Sequence, residues 1–154
     1  MTWVAVNLAA PEFDVPTEPP YLCGLIYAGK RHALSGPPEA AKTLTVAILG
    51  LEHMRATGER FALIDFEMGE HATRLLLHDL GATLDEIRQV YYVAPEGPPQ
   101  ADDLFQLNEA GVTFAVIDSA AGAYAVSGLD DNKRQDAETF SRAWTSPSLL
   151  SRGI

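Results

Sequence analysis

Residues 36–43, Gly-Pro-Pro-Glu-Ala-Ala-Lys-Thr, constrain the fold of this chain more than any other stretch. They follow a short apolar run, Ala33-Leu34, and precede an apolar pattern of helical spacing that begins at Thr43. A strand, a tight loop, Lys-Ser/Thr and a helix together form the layout of a phosphate-binding P-loop. Backbone N–H groups of such a loop and of the first helical turn surround an anion. We expect Lys42 to reach the β- and γ-phosphates of a nucleotide and the Thr43 hydroxyl to ligate Mg²⁺.

The composition of the loop sets which of its groups can bind a phosphate. Gly36 is the first glycine of the motif, and Pro37 and Pro38 have no N–H group to donate. The remaining backbone donors belong to Glu39, Ala40, Ala41, Lys42 and Thr43. Ala41 stands where the motif has its second glycine. If the backbone of Ala41 is right-handed, its methyl group is tolerated. If the phosphate must approach the backbone more closely than a Cβ allows, the phosphate binds more weakly. The alternative interpretation of the whole stretch is an ordinary Pro-rich turn leading into a helix.

Composition describes an acidic, globular chain. Of its 154 residues, 47% are apolar and 21% are charged, which is the balance of a folded domain rather than of a disordered segment. The net charge of −10 repels nucleic acid at long range. The single cysteine, Cys23, cannot form an internal disulfide. Because the N-terminal residues have neither a basic region nor a long apolar run, we expect a cytoplasmic protein that does not enter the membrane.

The pattern along the chain divides it into two parts. Residues 1–22 are acidic and rich in proline, and we expect them to form an extended leader. In residues 23–154 apolar runs alternate with helical patterns, which predicts an α/β fold with three layers, α/β/α, around a mostly parallel sheet. Strands are expected at Leu25–Tyr27, His32–Leu34, Phe61–Phe66, Val90–Ala94 and Val112–Asp118. Helices are expected to begin near Thr43, Glu70, Thr83 and Ala101. A helix, a turn and a second helix opened by Pro147 are expected to fill roughly 133–152.

Carboxylates follow two of the expected strands. Asp65 and Glu67 lie at the end of one strand, and Asp118 ends another in the form of a Walker B element, whose aspartate holds Mg²⁺. Ligands of parallel sheets bind beyond the carboxyl ends of the strands, so we expect these acids and the loop at one edge. Glu67 is the preferred candidate for the base that activates water, and Asp65 is the alternative, because Glu67 is nearer that edge. A second interpretation of Glu67 is a cap for the helix that follows.

In their order along the chain, these motifs resemble those of the AAA/RecA-like P-loop ATPases. The resemblance rests on Tyr-Ala-Gly-Lys-Arg-His-Ala-Leu-Ser-Gly36, Leu-Ile-Asp-Phe-Glu67 and Ala-Val-Ile-Asp118-Ser119, and it runs from Tyr27 to the C-terminus. It is closer to the hexameric replicative-helicase-type ATPases of plasmids, phages and other mobile elements. The resemblance implies ATP hydrolysis at the subunit interfaces of a homo-oligomer, coupled to movement on single-stranded DNA. It also implies that Lys42 and Thr43 bind phosphate and Mg²⁺, that Glu67 activates water and that Asp118 binds Mg²⁺.

The family pattern extends beyond Ile154. A family member would there enter a strand that lies between the P-loop strand and the Walker B strand and carries a γ-phosphate sensor, with the DNA-contacting loops and the arginine finger further on. We therefore expect residues 23–154 to be the N-terminal part of such a domain, incomplete and inactive as a motor. The missing strand would leave apolar strands facing a gap with unpaired backbone groups.

Three functions agree with these residues. The first is the ATP-binding and hydrolysing core of a DNA-dependent ATPase or helicase. The second is a module that binds a nucleotide without turnover, and the third is an interaction fragment that binds a partner subunit and no nucleotide. A P-loop kinase is a further alternative, but the chain has no convincing arginine-rich lid or basic acceptor-binding cluster.

Overall fold

The computed structural model describes residues 21–22 and 24–144. Two short strands, β1 (Tyr21–Leu22) and β2 (Ile26–Tyr27), form an antiparallel pair. A parallel sheet has the strand order β4-β3-β5, formed by β3 (Arg60–Asp65), β4 (Tyr91–Val93) and β5 (Val112–Asp118). The helices are α1 (Lys42–Thr57), α2 (Glu70–Asp79), α3 (Leu84–Gln89), α4 (Ala101–Glu109), α5 (Ala120–Val126) and α6 (Arg134–Trp144). Nearly all of the expected leader, Cys23 and the segment 145–154 lie outside the described residues.

The central strand, β3, is covered by helices on both faces. Its alternating side chains belong to two separate hydrophobic clusters, because successive residues of a strand point to opposite faces. Phe61 and Leu63 pack with residues of α1, α2 and α3. Ala62 and Ile64 pack with residues of α4, α5 and α6. The α/β class and the parallel sheet that the sequence predicts are therefore confirmed, as is the expectation that this strand is buried on both faces.

Helix α1 runs antiparallel to the sheet and connects its two ends. Only Gly58 and Glu59 separate α1 from β3, so the chain must reverse direction there; Gly58 has a φ of 74°, and its N–H donates to the Met54 carbonyl at 2.8 Å. Near the end of α1, His53 Nε2 lies 2.8 Å from the Thr113 hydroxyl at the start of β5. The beginning of α1 is therefore directed toward the carboxyl edge, the end of the sheet at which β3 and β5 stop.

His53 is a buried polar residue in the packing of α1 against β5. Its side chain is 3% exposed, and its Nδ1 atom has no hydrogen-bond partner among the described residues. Burial lowers the pKa of His53, against the opposing attraction of the Glu59 carboxylate. The Thr113 hydroxyl donates to Glu59 Oε2 at 2.7 Å, so its oxygen is left to accept from His53, which assigns a proton to Nε2 of the ring.

The helix ends follow the capping residues of the sequence. In α3 the Thr83 hydroxyl accepts the Glu86 N–H at 3.2 Å, and Glu86 Oε2 accepts the Thr83 N–H at 2.7 Å, so the expected capping box is confirmed. Gly81 and Gly111 have positive φ angles of 79° and 74° just beyond α2 and α4. No helix within the described ranges combines the length and apolarity needed to cross a membrane.

Three elements differ from the sequence expectation. The first is β1, Tyr21–Leu22, which lies within the residues expected as the leader and yet pairs with β2. His32–Leu34, expected as the strand before the loop, has no regular secondary structure, and residues 29–41 are exposed. A short apolar run becomes a strand only beside another strand, and in the described sheet β5 pairs with β3 alone. Helix α5, in contrast, forms where no element was expected; its Ala-rich sequence favours a helix, and the Ser119 hydroxyl accepts the Gly122 N–H at 3.3 Å at its start.

Gly50 is a point of very close approach between α1 and β3. A Cβ added there would lie 2.6 Å from Cε2 of Phe61, whose side chain is fully buried. In a helix interior, Gly→Ala normally stabilises by about 1 kcal/mol. We expect Gly50→Ala instead to lower the free energy of unfolding by about 2 kcal/mol, because the methyl group displaces the ring. Urea denaturation measures this change.

The double variant G50A/F61L provides the control. Phe61→Leu alone destabilises by removing ring contacts, but it also makes room for the added methyl group. The decreases in the free energy of unfolding of the two single variants should therefore sum to more than the decrease in the double variant. Strict additivity would contradict the close packing of α1 on β3.

Candidate functional site

The loop of residues 36–41 has a left-handed backbone at two residues that are not glycine. Glu39 has a φ of 64°, and Ala41 has φ 55° and ψ 27°. This conformation costs an L-residue about 1–2 kcal/mol. Left-handed residues within a turn direct successive backbone N–H groups into one concavity, a nest that suits an anion. The conformation at Ala41 is thus the one for which glycine is preferred, and the right-handed alternative for this residue is wrong.

Helix α1 begins directly at this loop without a capping side chain. Ala41 is the N-cap residue, no side chain accepts a hydrogen bond there, and the first turn has no acidic residue. Thr45 in the first turn bonds to the last residue of the loop: both its N–H and its hydroxyl donate to the Ala41 carbonyl at 2.9 Å. The positive end of the helix dipole is consequently uncompensated in the part of the chain that the structure describes. An anion would satisfy both the dipole and the first N–H groups.

The Lys42 side chain folds back onto the start of the loop. Its ammonium donates to the carbonyl oxygens of Gly36 at 3.1 Å and Pro37 at 2.9 Å. These bonds hold a positive charge beside the uncapped helix start. A charged oxygen binds an ammonium more strongly than a neutral carbonyl does. A phosphate could therefore replace the two carbonyl groups as the partner of Lys42.

Asp65 is a buried carboxylate at the end of β3, with a side chain surrounded by donors. It is 4% exposed. Its five donors, at 2.8–3.1 Å, are the backbone N–H groups of Glu67, Met68 and Gly69 and the hydroxyls of Thr73 and Tyr92. Burial by itself would raise the pKa of Asp65, but these hydrogen bonds outweigh it and hold the pKa below its ordinary value. Asp65 is therefore an anchor for the turn, and its oxygens are occupied.

Glu67 lies on the outer side of the turn that Asp65 anchors. The residue before it, Phe66, faces inward against Trp144, with ring centroids 5.6 Å apart. Helix α5 contacts Phe66 so closely that a Cβ on Gly122 would lie 2.4 Å from the Phe66 Cβ. With Asp65 and Phe66 held inside, the Glu67 side chain is exposed. The alternative role of Glu67 as a helix cap is wrong, because Gly69 is the N-cap residue of α2 and no side chain caps it.

Asp118 lies next to Asp65 at the carboxyl edge. The parallel register pairs these two residues, so their backbones are about 4.8 Å apart. The Phe66 N–H donates to the Asp118 carbonyl at 2.7 Å, which continues the pairing past the end of β3. The sheet thus brings Asp65, Glu67 and Asp118 together at one edge, as the sequence predicts.

Helix α1 connects the loop to the sheet and extends from its contact with β5 toward the same edge. Ten helical residues separate Thr43 from His53, about 15 Å, and five strand residues separate Thr113 from Asp118, about 17 Å. Since His53 contacts Thr113 and α1 runs antiparallel to the strands, both segments extend from that contact toward the carboxyl edge over similar lengths. In the described chain no hydrogen bond joins Lys42 or Thr43 to the acids; the packing of α1 relates the two halves of the site.

The described residues do not by themselves form a metal site. Among the described residues, no three His, Cys, Asp or Glu side chains are close enough to hold a metal ion. Mg²⁺ in phosphate sites commonly takes one or two protein ligands and completes its octahedron with phosphate oxygens and water. The Thr43 hydroxyl and the Asp118 carboxylate are oxygen groups of the kind that such an ion takes as protein ligands.

Tyr92 and Thr73 are site residues that the sequence pattern does not single out. Both hydroxyls bond to Asp65, and Thr73 is buried on α2. One signal was available for Thr73, namely a polar residue one turn into a helix whose start follows the strand-end acid. Tyr92 gave no such signal, because its partner is 27 residues away.

Comparison with protein-family models, with curated proteins and with solved structures found no match for this chain. The function proposed below therefore depends on the chain's own motifs and geometry.

Ala41 offers a direct test of the loop conformation. We expect Ala41→Gly to raise the free energy of unfolding by about 0.5–1 kcal/mol, because relief of the left-handed strain exceeds the extra chain entropy of glycine. Chemical denaturation measures the change. Ala40→Gly is the matched control: φ at Ala40 is not positive, so glycine there should destabilise by a similar amount. A stabilisation by both variants, or by neither, would contradict the left-handed backbone at Ala41.

Proposed function

We propose that this chain binds Mg-ATP through residues 36–43 and forms the nucleotide-binding part of a RecA-like P-loop ATPase. The observation that carries the proposal is the loop itself. Two non-glycine residues adopt the left-handed conformation directly before an uncapped helix of 16 residues, and Lys42 folds over the same loop. Strained backbone of this kind persists where function requires it.

Phosphate binding would use groups that the loop already presents. The N–H groups of Ala41, Lys42 and Thr43 are at the positive end of α1, where a triphosphate would be favoured by the dipole. Lys42 would exchange two neutral carbonyl partners for phosphate oxygens. The loop and α1 thus supply both charge and directed donors to a polyphosphate.

Mg²⁺ and hydrolysis involve the carboxyl edge. The Thr43 hydroxyl and Asp118 would hold a Mg²⁺ ion, which would neutralise charge on the β- and γ-phosphates. Glu67 is the proposed base, since its carboxylate is exposed beyond the strand end and could accept a proton from the attacking water. Asp65 suits that role poorly, because five donors already occupy its oxygens.

Assembly and DNA contact are the further parts of the proposal, and they come from the family resemblance. A homo-oligomer, hexameric in replicative helicases, would place the ATP sites between subunits. Because the net charge is −10, single-stranded DNA would have to be bound by other segments than the acidic surface of this chain. The proposal agrees with the open sheet, in which β5 pairs along one edge only among the described strands.

A specific observation favours the interaction fragment as a second candidate. Leu44 and Ile48 lie one turn apart on α1 and are 38% and 42% exposed. These exposed side chains, and separately the edge of β5 that is unpaired among the described strands, are features suited to another subunit or strand. This alternative requires no nucleotide, so nucleotide binding separates the two candidates.

Lys42→Ala tests the proposal. We expect calorimetric titration to show binding of Mg-ATP to the wild-type chain and a loss of affinity on the order of 100-fold in the variant, because the charged phosphate contact is removed. Lys30→Ala, on the exposed segment before the loop, is the control and should bind as the wild type does. Equal affinity in the Lys42 variant, or no binding to the folded wild-type chain, would reject the loop as the nucleotide site.

A further inference from the structure

The Asp65 carboxylate is held by local and distant donors. Glu67, Met68, Gly69 and Thr73 all follow Asp65 within eight residues. Tyr92 instead belongs to β4, and its hydroxyl donates to Asp65 Oδ2 at 2.9 Å. Among the described donors to Asp65, Tyr92 is thus the one that ties the turn to a neighbouring strand.

The direction of this hydrogen bond is fixed by chemistry. An ionised carboxylate can only accept, so the phenol proton must point at Asp65. The pKa of Tyr92 is raised to about 12, first by burial and then by its bond to Asp65. The phenol therefore keeps its proton, and the bond persists at neutral and mildly alkaline pH.

The position of Glu67 depends on how the Asp65 carboxylate is oriented. One oxygen accepts the N–H groups of Glu67 and Met68, and the other accepts Gly69, Thr73 and Tyr92. A rotation of the carboxylate would redirect all three successive N–H groups and with them the outward Glu67 side chain. Tyr92 resists that rotation because β4 is registered on β3, with Tyr92 beside Leu63.

We propose that Tyr92 is a positioning residue for Glu67, acting through the Asp65 carboxylate that anchors the turn between β3 and α2. The part of this inference that concerns hydrolysis rests on the proposed function of Glu67. The part that concerns the turn stands on the hydrogen bonds alone.

Tyr92→Phe removes the hydroxyl and keeps the ring. We expect the amide signals of Glu67, Met68 and Gly69 to shift and their hydrogen exchange to accelerate about 10-fold. Mg-ATP affinity should stay as in the wild type while kcat falls about 10-fold, because Glu67 takes no part in binding. Tyr91→Phe is the matched control on the same strand: its ring belongs to the opposite hydrophobic cluster, and neither measurement should change.

A second variant tests the route through Asp65. If Tyr92 acts through that carboxylate, adding Y92F to a D65N chain should change the amide signals of the turn no further. Unchanged amides in Y92F, or the same kcat loss in Y91F, would overturn the proposal. A wild-type chain that hydrolyses no ATP would contradict the role of Glu67 instead, and the amide signals would still decide whether Tyr92 holds the turn.

Discussion

The hydrogen bonds to the buried Asp65 carboxylate are the interaction on which the carboxyl edge depends. A buried charge is tolerated only where donors replace its lost hydration, and here five donors do so. In return the carboxylate fixes the direction of the chain as it leaves β3. Phe66 turns into the core, Glu67 turns to solvent, and α2 begins at once without a side-chain cap. Removal of this charge would release the turn, the start of α2 and the link to β4 together.

The second half of the candidate site is held differently. Among residues 21–22 and 24–144 no strand lies beside the loop. Its shape comes from two strained residues, from the Thr45 bonds to Ala41 and from the Lys42 bonds to Gly36 and Pro37. Helix α1 relates this loop to the sheet, since His53 fixes its far end against β5. The two halves therefore meet through a helix of defined length rather than through direct contacts. A ligand that contacts both halves would link Lys42 and Thr43 to the strand-end acids, to which no hydrogen bond joins them in the described chain.

Much of the fold could be predicted because its signals are local. The nearly continuous apolar run at 61–66 suits a strand buried on both faces, and Thr83 with Glu86 marks a helix start by itself. The prediction of a strand at 32–34 was wrong, because a strand requires a neighbouring strand and no local sequence pattern reveals whether one is present. From the sequence, Glu67 is preferred over Asp65 as the base only because it lies nearer the carboxyl edge. The hydrogen bonds that Tyr92 and Thr73 donate to Asp65 depend on tertiary packing, which the sequence does not reveal. The left-handed backbone of Ala41 likewise could not be derived from alanine, which disfavours it.

We propose that one ligand contacts both the loop and the carboxyl edge. The most direct measurement is the change in backbone amide signals of the ¹⁵N-labelled chain on addition of Mg²⁺ with a non-hydrolysable ATP analogue. We predict simultaneous shifts at residues 39–43 and at Glu67 and Asp118, all saturating at the same ligand concentration. Shifts confined to the loop, or signals that do not change at all, would contradict a shared nucleotide site.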